Sequence, residues 1–305
     1  MHIGIIDTWP GIKNAEYELI IKLQGVLERL GHSSVLIDNT GHIVAVEGDQ
    51  RIVDYKTSVN DDDIDFVLSL HYESGKVIDS FTFFTLWNPP DFTLNIPDDY
   101  SYSSIKDRIL SVDDYLEYGA RPIKSYVQNV THDFYKETDG MLQLSTSTDS
   151  AQNLEPNLDD PKLFYCGINW EKCTAKRGRH HELFKALDDL GLMRIYGPRV
   201  FQGMRPWDGY KSYEGELPFD GGRSMIKAIN NCGISLVLSS NSHRVAEAAT
   251  NRLYESLAAG AVIISDDNEF VKREFGDSIL YIEYSSDCQF MKNQILDHLE
   301  WVTNN

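Results

Sequence analysis

The sequence has few cysteines, no long apolar run and a shortage of basic residues. Its 305 residues include four cysteines, none in a C-x-x-C spacing, so neither a disulfide framework nor a cysteine zinc site is expected. No apolar stretch approaches the roughly 20 residues that cross a bilayer. The first residues lack the basic region and cleavage site of a signal peptide. These absences predict reduced, structural cysteines and a cytoplasmic protein without a transmembrane segment.

The charge balance is strongly acidic. Lys and Arg number 28 against 47 Asp and Glu, which gives a formal net charge of -19 at pH 7. Sequence-independent binding to DNA or RNA needs a basic surface, and so does adsorption to anionic lipid. We therefore expect no nucleic-acid partner. An anionic small ligand is compatible with the composition, because a few arginines and a helix N-terminus hold a phosphate locally.

Strands and helices alternate in the first half of the chain. A strand over His2–Asp7, an amphipathic helix over Asn14–Leu30 and a strand over Ser34–Asp38 predict a parallel sheet. Further short strands are expected at residues 65–70, 81–86, 108–112 and 125–128. Residues 137–160 are polar and rich in turn formers, which is typical of an interdomain linker.

The same alternation restarts after the linker. Strands are expected at residues 162–166, 193–196, 233–238, 261–265 and 279–282, and helices at 180–190, 225–231, 250–259 and 268–275. The fold class is therefore α/β, with two Rossmann-like domains facing across a cleft. We expect a first domain over residues 1–150, a second domain over 161–287, and a helix over 288–305 that packs back on the first domain.

The most informative motif spans residues 247–260. Two carboxylates, Glu247 and Glu255, stand eight positions apart, and Thr250–Arg252 between them is interpreted as a helix start after a strand. Open α/β sheets bind ligands there, and a helix N-terminus favours a phosphate. Glu255 would accept two ribose hydroxyls, while Arg252 or Arg244 would bind a diphosphate. An ordinary helix with a surface ion pair between Arg252 and Glu255 explains the spacing equally well.

The run T-N-R-L-Y-E-S-L-A-A-G from Thr250, with the strand after it, resembles the donor-domain signature of nucleotide-sugar glycosyltransferases. The resemblance is to the group-1 type of the two-Rossmann (GT-B) fold, and it covers about residues 233–282. Glu247 and Glu255 fit the E-x7-E spacing of many retaining members. F-Y-C-G-I-N-W-E-K from Phe164 is weakly similar to the first strand and loop of the same domain. The donor-binding helix of fucosyltransferases is similar too, so UDP- and GDP-linked donors both remain open.

This resemblance implies a role for each matching residue. Glu255 would bind the nucleotide ribose, and Thr250, Asn251 and Arg252 would hold the diphosphate. Glu247 would lie at the transferred sugar and stabilise its developing positive charge. The donor is a substrate, and no further cofactor or metal is implied.

The sequence departs from the family in the loop after residue 166. Many members place an arginine and a lysine there for the phosphates, whereas the loop that begins at Gly167 retains only Lys172. The substitutes that the sequence offers are Lys176, Arg177 and Arg179. Tyr196, followed by Gly197 and Pro198, would bring backbone near the base, although a plain strand-end turn is the slightly favoured explanation.

Candidates on the acceptor side come from the first half. His71 ends a buried strand, where imidazole would take a hydroxyl proton. Trp9 and Gly11 lie in the first strand-to-helix loop, and Trp87–Pro90 would form an aromatic platform. Hydrogen bonding for the histidine and packing for the aromatic residues are the commoner roles. The run Asp61–Asp63 is interpreted as a solvated turn, because adjacent acids do not converge on one metal ion.

The sequence therefore predicts a metal-independent glycosyltransferase that moves a sugar to a hydroxyl of a glycan, polysaccharide or protein, with a weak preference for retention. The alternative is an inactive nucleotide-sugar-binding protein or partner subunit, which the missing loop arginine favours. A Rossmann oxidoreductase is disfavoured, because the first strand-to-helix turn has no G-x-G-x-x-G.

Overall fold

The computed structural model describes residues 1–12, 15–47, 50–85, 102–116, 154–169, 171–174 and 177–304. The chain divides into two compact units. Unit 1 comprises Met1–Ser145 with Asn241–Ala248, and unit 2 comprises Thr146–Ser240 with Ala249–Asn305. The grouping of residues 241–248 with unit 1 is a feature that the sequence did not indicate.

Unit 1 is built on a seven-stranded sheet. Its strands are β1 (His2–Ile6), β2 (Ser33–Ile37), β3 (His42–Glu47), β4 (Gln50–Ser58), β5 (Phe66–Ser69), β6 (Thr82–Thr85) and β7 (Asp114–Leu116), and its helices are α1 (Ala15–Arg29) and α2 (Tyr102–Ser111). The spatial order is β4-β3-β2-β1-β5-β6-β7. All neighbours are parallel except in the hairpin β3–β4 and its contact with β2. The order reverses between β1 and β5.

The central strand β1 is buried on both faces. Ile3 and Ile5 pack against Leu19 and Ile20 of α1, while Ile6 packs with a separate cluster on the opposite face. A parallel strand covered on both sides reads as a continuous apolar run, which is why H-I-G-I-I predicted a strand correctly.

Two elements of unit 1 differ from the sequence expectation. The helix α2 takes residues 108–111 of the strand expected at 108–112, because Ile105 and Ile109 are buried at a helical spacing. The hairpin β3–β4 was not predicted. The strand expected at 125–128 and the aromatic platform at Trp87–Pro90 lie outside the described residues.

Unit 2 is built on a six-stranded parallel sheet. Its strands are β8 (Lys162–Cys166), β9 (Met193–Tyr196), β10 (Tyr213–Gly215), β11 (Gly233–Val237), β12 (Val262–Asp266) and β13 (Leu280–Ile282). The spatial order β10-β9-β8-β11-β12-β13 reverses between β8 and β11. Sheets of this order bind ligands at the reversal, outside the carboxyl ends of the strands.

Two short helices of the second half were not predicted: α3 (Glu171–Thr174) in unit 2 and α6 (Asn241–Val245), which is grouped with unit 1. Four helices of unit 2 lie close to their predicted positions, namely α4 (His181–Asp189), α5 (Arg223–Cys232), α7 (Asn251–Ala258) and α8 (Glu269–Phe275). The last helix, α9 (Cys288–Asn304), corrects one expectation. Its buried stripe, which includes Met291, Ile295 and Leu299, joins the core of unit 2 rather than that of the first domain. Among the described residues, no helix is long and apolar enough to span a membrane.

Candidate functional site

Arg252 connects the start of α7 to the end of β8. Its Nη1 donates a hydrogen bond of 2.6 Å to the carbonyl oxygen of Cys166, the last residue of β8. Its Nε lies 3.2 Å from Glu255 Oε2. We call Thr250, Arg252, Glu255 and the Cys166 carbonyl the α7 cluster. Because β8 borders the point where the sheet order reverses, this cluster lies where parallel sheets of this order bind ligands.

The ion pair in the α7 cluster is buried rather than on the surface. Side-chain exposure is 18% for Arg252 and 6% for Glu255. The pair expected from i,i+3 spacing is therefore present, but in an environment that the sequence did not indicate. A buried ion pair contributes little net stability, because the desolvation of both charges offsets their attraction. Stability alone is thus a weak reason for these two residue types.

Thr250 adopts the backbone conformation of a helix N-cap without capping the helix. Its φ and ψ are -85° and 153°, and its side chain makes no cap hydrogen bond to α7. Within the described part of the chain, its buried hydroxyl has no hydrogen-bond partner. The first-turn N–H groups, beginning at Asn251, are therefore not capped by this side chain. A helix start of this kind beside a guanidinium group suits an anion.

The loop after β8 is held by the protein's own groups. The N–H of Gly167 donates to the Tyr196 carbonyl at 3.1 Å, and its carbonyl accepts from Trp207 Nε1 at 2.8 Å. Lys172 Nζ lies 3.4 Å and 3.3 Å from the carbonyl oxygens of Arg205 and Asp208. Gly167 and Lys172 are thus directed at backbone groups of unit 2 and are poorly placed to bind a phosphate.

Arg179 is a cation that shares the end of β8 with Arg252. Burial raises the pKa of the Tyr165 hydroxyl, and the positive charges of Arg179 and Arg252 oppose that rise. Both guanidinium groups therefore lie near the same buried side chain. Arg179 is paired with Glu171 at 3.3 Å, whereas Arg177 is paired with the exposed Glu182. Of the described substitutes for the missing loop arginine, Arg179 is the one whose charge acts at the end of β8.

Tyr196 and Gly197 have packing roles. The Tyr196 ring stacks on Phe164 with centroids 5.3 Å apart. Gly197 has a φ of +154°, and a Cβ there would lie 2.2 Å from the Gly167 oxygen and 2.5 Å from Trp207 Nε1. Glycine is therefore required by the close approach of these two loops, which supports the plain strand-end turn.

Glu247 occupies a strained position after α6, the helix that carries Arg244. The N–H of Ala248 donates to His243 O at 2.9 Å, and the N–H of Glu247 donates to Arg244 O at 3.1 Å. These two bonds form a Schellman motif, whose left-handed position usually holds glycine. Glu247 takes it with a φ of +45°. A side chain there costs about 1 kcal/mol, and such strain is common at functional sites.

The acceptor-side candidates do come together at the end of β1. Ile12 N donates to Trp9 O at 3.0 Å, and Gly11 has a φ of +93°, so Trp9–Ile12 forms a type II turn. The Trp9 ring lies edge-on to His71 with centroids 4.3 Å apart. Three predicted residues, Trp9, Gly11 and His71, are thus neighbours in unit 1.

His71 does not have the properties of a general base. The residue is 5% exposed, and burial lowers its pKa to about 3. Its Nδ1 accepts a hydrogen bond of 3.1 Å from the N–H of Glu73. The imidazole is neutral near pH 7 and is a weak proton acceptor there. The hydrogen-bonded loop role suits it better.

Buried polar groups around Glu16 were missed by sequence reasoning. Glu16 is 3% exposed, and its Oε1 accepts a hydrogen bond of 2.8 Å from the Thr8 hydroxyl. That hydroxyl also lies 2.8 Å from the Ser74 Oγ. Burial raises the pKa of Glu16 to about 7, although Thr8 opposes the rise. The available signal was that Glu16 precedes Leu19 and Ile20 by three and four positions, on the apolar face of α1.

Comparisons with known proteins point in one direction. Residues 177–300 match a family described as glycosyl transferase-like. Sucrose-phosphate synthase from Thermosynechococcus elongatus aligns with a TM-score of 0.61 at 10% identity, covering 99% of this chain and 91% of that one. WaaG, a glycosyltransferase involved in lipopolysaccharide biosynthesis, aligns with a TM-score of 0.61 at 10% identity, over 98% and 90% of the two chains. A search of curated protein sequences finds no match.

One further solved structure bears on the expected partners. An alpha-glucosyltransferase in complex with UDP and a 13-mer DNA containing an HMU base aligns with a TM-score of 0.60 at 11% identity, covering 100% of this chain and 91% of that one. A fold shared with a DNA-bound enzyme means that the exclusion of nucleic acid, expected from the net charge, is not supported. Identities this low show the fold alone.

Proposed function

We propose that the protein is a glycosyltransferase of the GT-B type that transfers a sugar from a UDP-linked donor to an acceptor hydroxyl. Residues 177–300 match a family described as glycosyl transferase-like, and the chain shares the fold of solved glycosyltransferases. One observation carries the proposal: Arg252 joins Glu255 to the end of β8 at a helix start that Thr250 does not cap. A GDP-linked donor is the second candidate, because the motif is similar in both groups.

In the proposed donor site, the α7 cluster binds the nucleoside diphosphate. The first turn of α7, with Thr250 and Asn251, offers N–H groups to the diphosphate. Arg252 adds a guanidinium group, and Arg179 takes the place of the missing loop arginine. Glu255 accepts the ribose hydroxyls. Lys172, Gly167 and Tyr196 have no ligand contact in this scheme, because their observed contacts are structural.

The proposed reaction breaks the bond between the anomeric carbon and the diphosphate oxygen. The electron pair leaves with UDP, while the acceptor oxygen forms the new bond and passes its proton to the departing diphosphate oxygen. Glu247 stabilises the positive charge that develops on the sugar, and its strained backbone supports a functional role. The E-x7-E spacing favours retention. Cationic side chains counter the leaving charge, so we expect activity to persist in EDTA.

For the acceptor we propose a hydroxyl of a glycan, polysaccharide or protein. The net charge of -19 disfavours the phosphates of nucleic acid, and transfer to DNA is an outcome to be measured. A second function, an inactive nucleotide-sugar-binding subunit, is favoured by one observation. Lys172 and the Gly167 N–H, which would bind phosphate in the family, are engaged within unit 2.

Thermal unfolding with UDP, GDP, CMP or NAD tests the proposal. At a concentration of 100 Kd, a ligand of the folded state adds about 2.7 kcal/mol to the free energy of unfolding. We expect this from UDP in the wild type and in Glu269→Ala, which removes an exposed glutamate paired with Lys272 at the same i,i+3 spacing. Glu255→Ala should abolish the shift.

Release of UDP from UDP-sugars then separates the two functions. Turnover supports the enzyme, whereas a UDP shift without turnover of any donor supports the binding subunit. No shift with any of the four ligands would refute the donor site.

A further inference from the structure

Arg51 on the hairpin strand β4 reaches the end of the central strand β1. Its side chain is 3% exposed. The hairpin is joined to β2 through one pair of residues, Ile37 with Ile43. The hairpin extends the sheet beyond β2, and it places Arg51 beside residues that precede it by about 40 positions.

Among the described residues, the side-chain hydrogen bonds of Arg51 go to the segment between β1 and α1, and its ring contact is to α1. Nη1 lies 2.6 Å from Asp7 Oδ2, and Nη2 donates to the carbonyl oxygens of Trp9, at 3.3 Å, and Ile12. The guanidinium carbon lies 3.7 Å from the Tyr17 ring centroid. Arg51 thus holds both ends of the type II turn Trp9–Ile12.

Stability is a weak explanation for this arrangement. Replacing a buried ion pair by apolar groups is often neutral or stabilising. Burial raises the pKa of Asp7, and Arg51 opposes that rise, so the pair contains a desolvated carboxylate. What the guanidinium group provides, and an apolar residue would not, is a rigid fork that binds two carbonyl oxygens of one turn.

We propose that Arg51 is a positioning residue for the acceptor side of the transfer reaction. It fixes the turn Trp9–Ile12 so that the Trp9 ring and Gly11 meet the acceptor sugar in one orientation. This inference rests on the proposed function, because it takes the turn as the acceptor-side surface. The guanidinium group itself is buried and acts through the turn.

A fluorine label on tryptophan tests the positioning directly. The protein contains five tryptophans, so 5-fluorotryptophan gives five resonances, and Trp9→Phe assigns that of Trp9. Arg51→Lys keeps the charge and loses the fork. We expect it to shift or broaden the Trp9 resonance and to leave the others in place. Arg194→Lys, which alters a strand arginine paired with Glu214 in unit 2, should leave all five unchanged. An unmoved Trp9 resonance in Arg51→Lys overturns the inference.

A kinetic measurement tests the consequence for transfer. UDP-glucose is supplied with methyl β-D-glucoside as the acceptor probe. The measured quantity is the rate of glucose transfer to the probe divided by the rate of UDP-glucose hydrolysis. In Arg51→Lys we expect this ratio to fall about tenfold, while the thermal shift by UDP stays at the wild-type value. A ratio equal to that of the wild type overturns the inference. If UDP produces no thermal shift in the wild type, the proposed donor site is refuted. The Trp9 resonance in Arg51→Lys still tests the role of Arg51 in that case.

Discussion

The carboxyl ends of the two sheets share a topology and differ in charge. In each unit, the strand order reverses beside the first strand of the unit, β1 or β8. At the end of β1, the buried acids Asp7 and Glu16 lie near Arg51. At the end of β8, two arginines lie near Tyr165, and a helix begins without a side-chain cap from Thr250.

Sheet topology therefore determines where a ligand binds, and the side chains at that position determine which class of ligand binds. Buried carboxylates accept hydrogen bonds from hydroxyl groups and repel a phosphate. Arginines and a helix start that the Thr250 side chain does not cap do the reverse. In the proposed function, the carboxyl groups at the end of β1 therefore suit a hydroxyl-bearing acceptor, and the two arginines at the end of β8 suit a nucleoside diphosphate.

The largest expected effect comes from removing the cation of unit 2. Arg252→Met should abolish the UDP thermal shift and cost about 3–5 kcal/mol of stability, because it leaves the Glu255 carboxylate buried without this partner. The double variant Arg252→Met with Glu255→Gln removes both charges and should regain most of the stability without regaining UDP binding. Chemical denaturation with and without UDP measures both quantities. If the double variant bound UDP as the wild type does, the charged groups at the end of β8 would not be what binds the diphosphate.

Glu247 should show opposite effects on activity and stability. Glu247→Gly removes the proposed charge at the sugar and should lower turnover about 100-fold. Since glycine is unstrained at a φ of +45°, the same variant should gain up to about 1 kcal/mol of stability. Glu247→Gln keeps the strain and should lose activity at wild-type stability. Steady-state rates and urea unfolding test this, and undiminished turnover in both variants would refute the assignment.

Glu16 should make stability fall as the pH rises. Its pKa is about 7 in the fold against 4.5 for the ordinary group, so the folded state holds a proton that the unfolded chain loses. The stabilisation is complete below about pH 4.5 and is lost as the pH rises through 7, on the order of 3 kcal/mol in all. Glu16→Gln should flatten that slope between pH 5 and 8, while the exposed Glu269→Gln should not. Equal slopes in the wild type and Glu16→Gln would show that Glu16 is not protonated in the fold.

The smallest effect is expected at His71. With a pKa of about 3, the imidazole stays neutral from pH 5 to 8, so it contributes no titration to that range. His71→Gln should leave the shape of the pH–rate profile unchanged, with turnover within about threefold of the wild type. If His71→Gln removed one limb of the pH–rate profile, His71 would act as a base after all. The end of β1 would then carry a catalytic group as well as acceptor contacts.

Much of the fold was readable because its signals are local. The strands β1, β8 and β11 are apolar runs, and α7 follows Thr250 as predicted. The missed hairpin β3–β4 and the helix α2 bury few apolar residues, and a few apolar residues fit either period. The position of α9 depended on which unit its apolar stripe would cover. The sequence of the helix itself does not indicate which core it joins.

The candidate site divides in the same way. The i,i+3 spacing of Arg252 and Glu255 predicted their pairing, because helix geometry brings those positions together. By itself, the sequence also determined that Glu247 precedes the helix and that a Pro–Gly turn follows β1. The burial of the Arg252–Glu255 pair, the turn of Lys172 toward the 205–208 carbonyls and the reach of Arg51 to Asp7 were decided by the tertiary structure. Each depends on groups that are distant along the chain and that come together only when folding excludes water from between them.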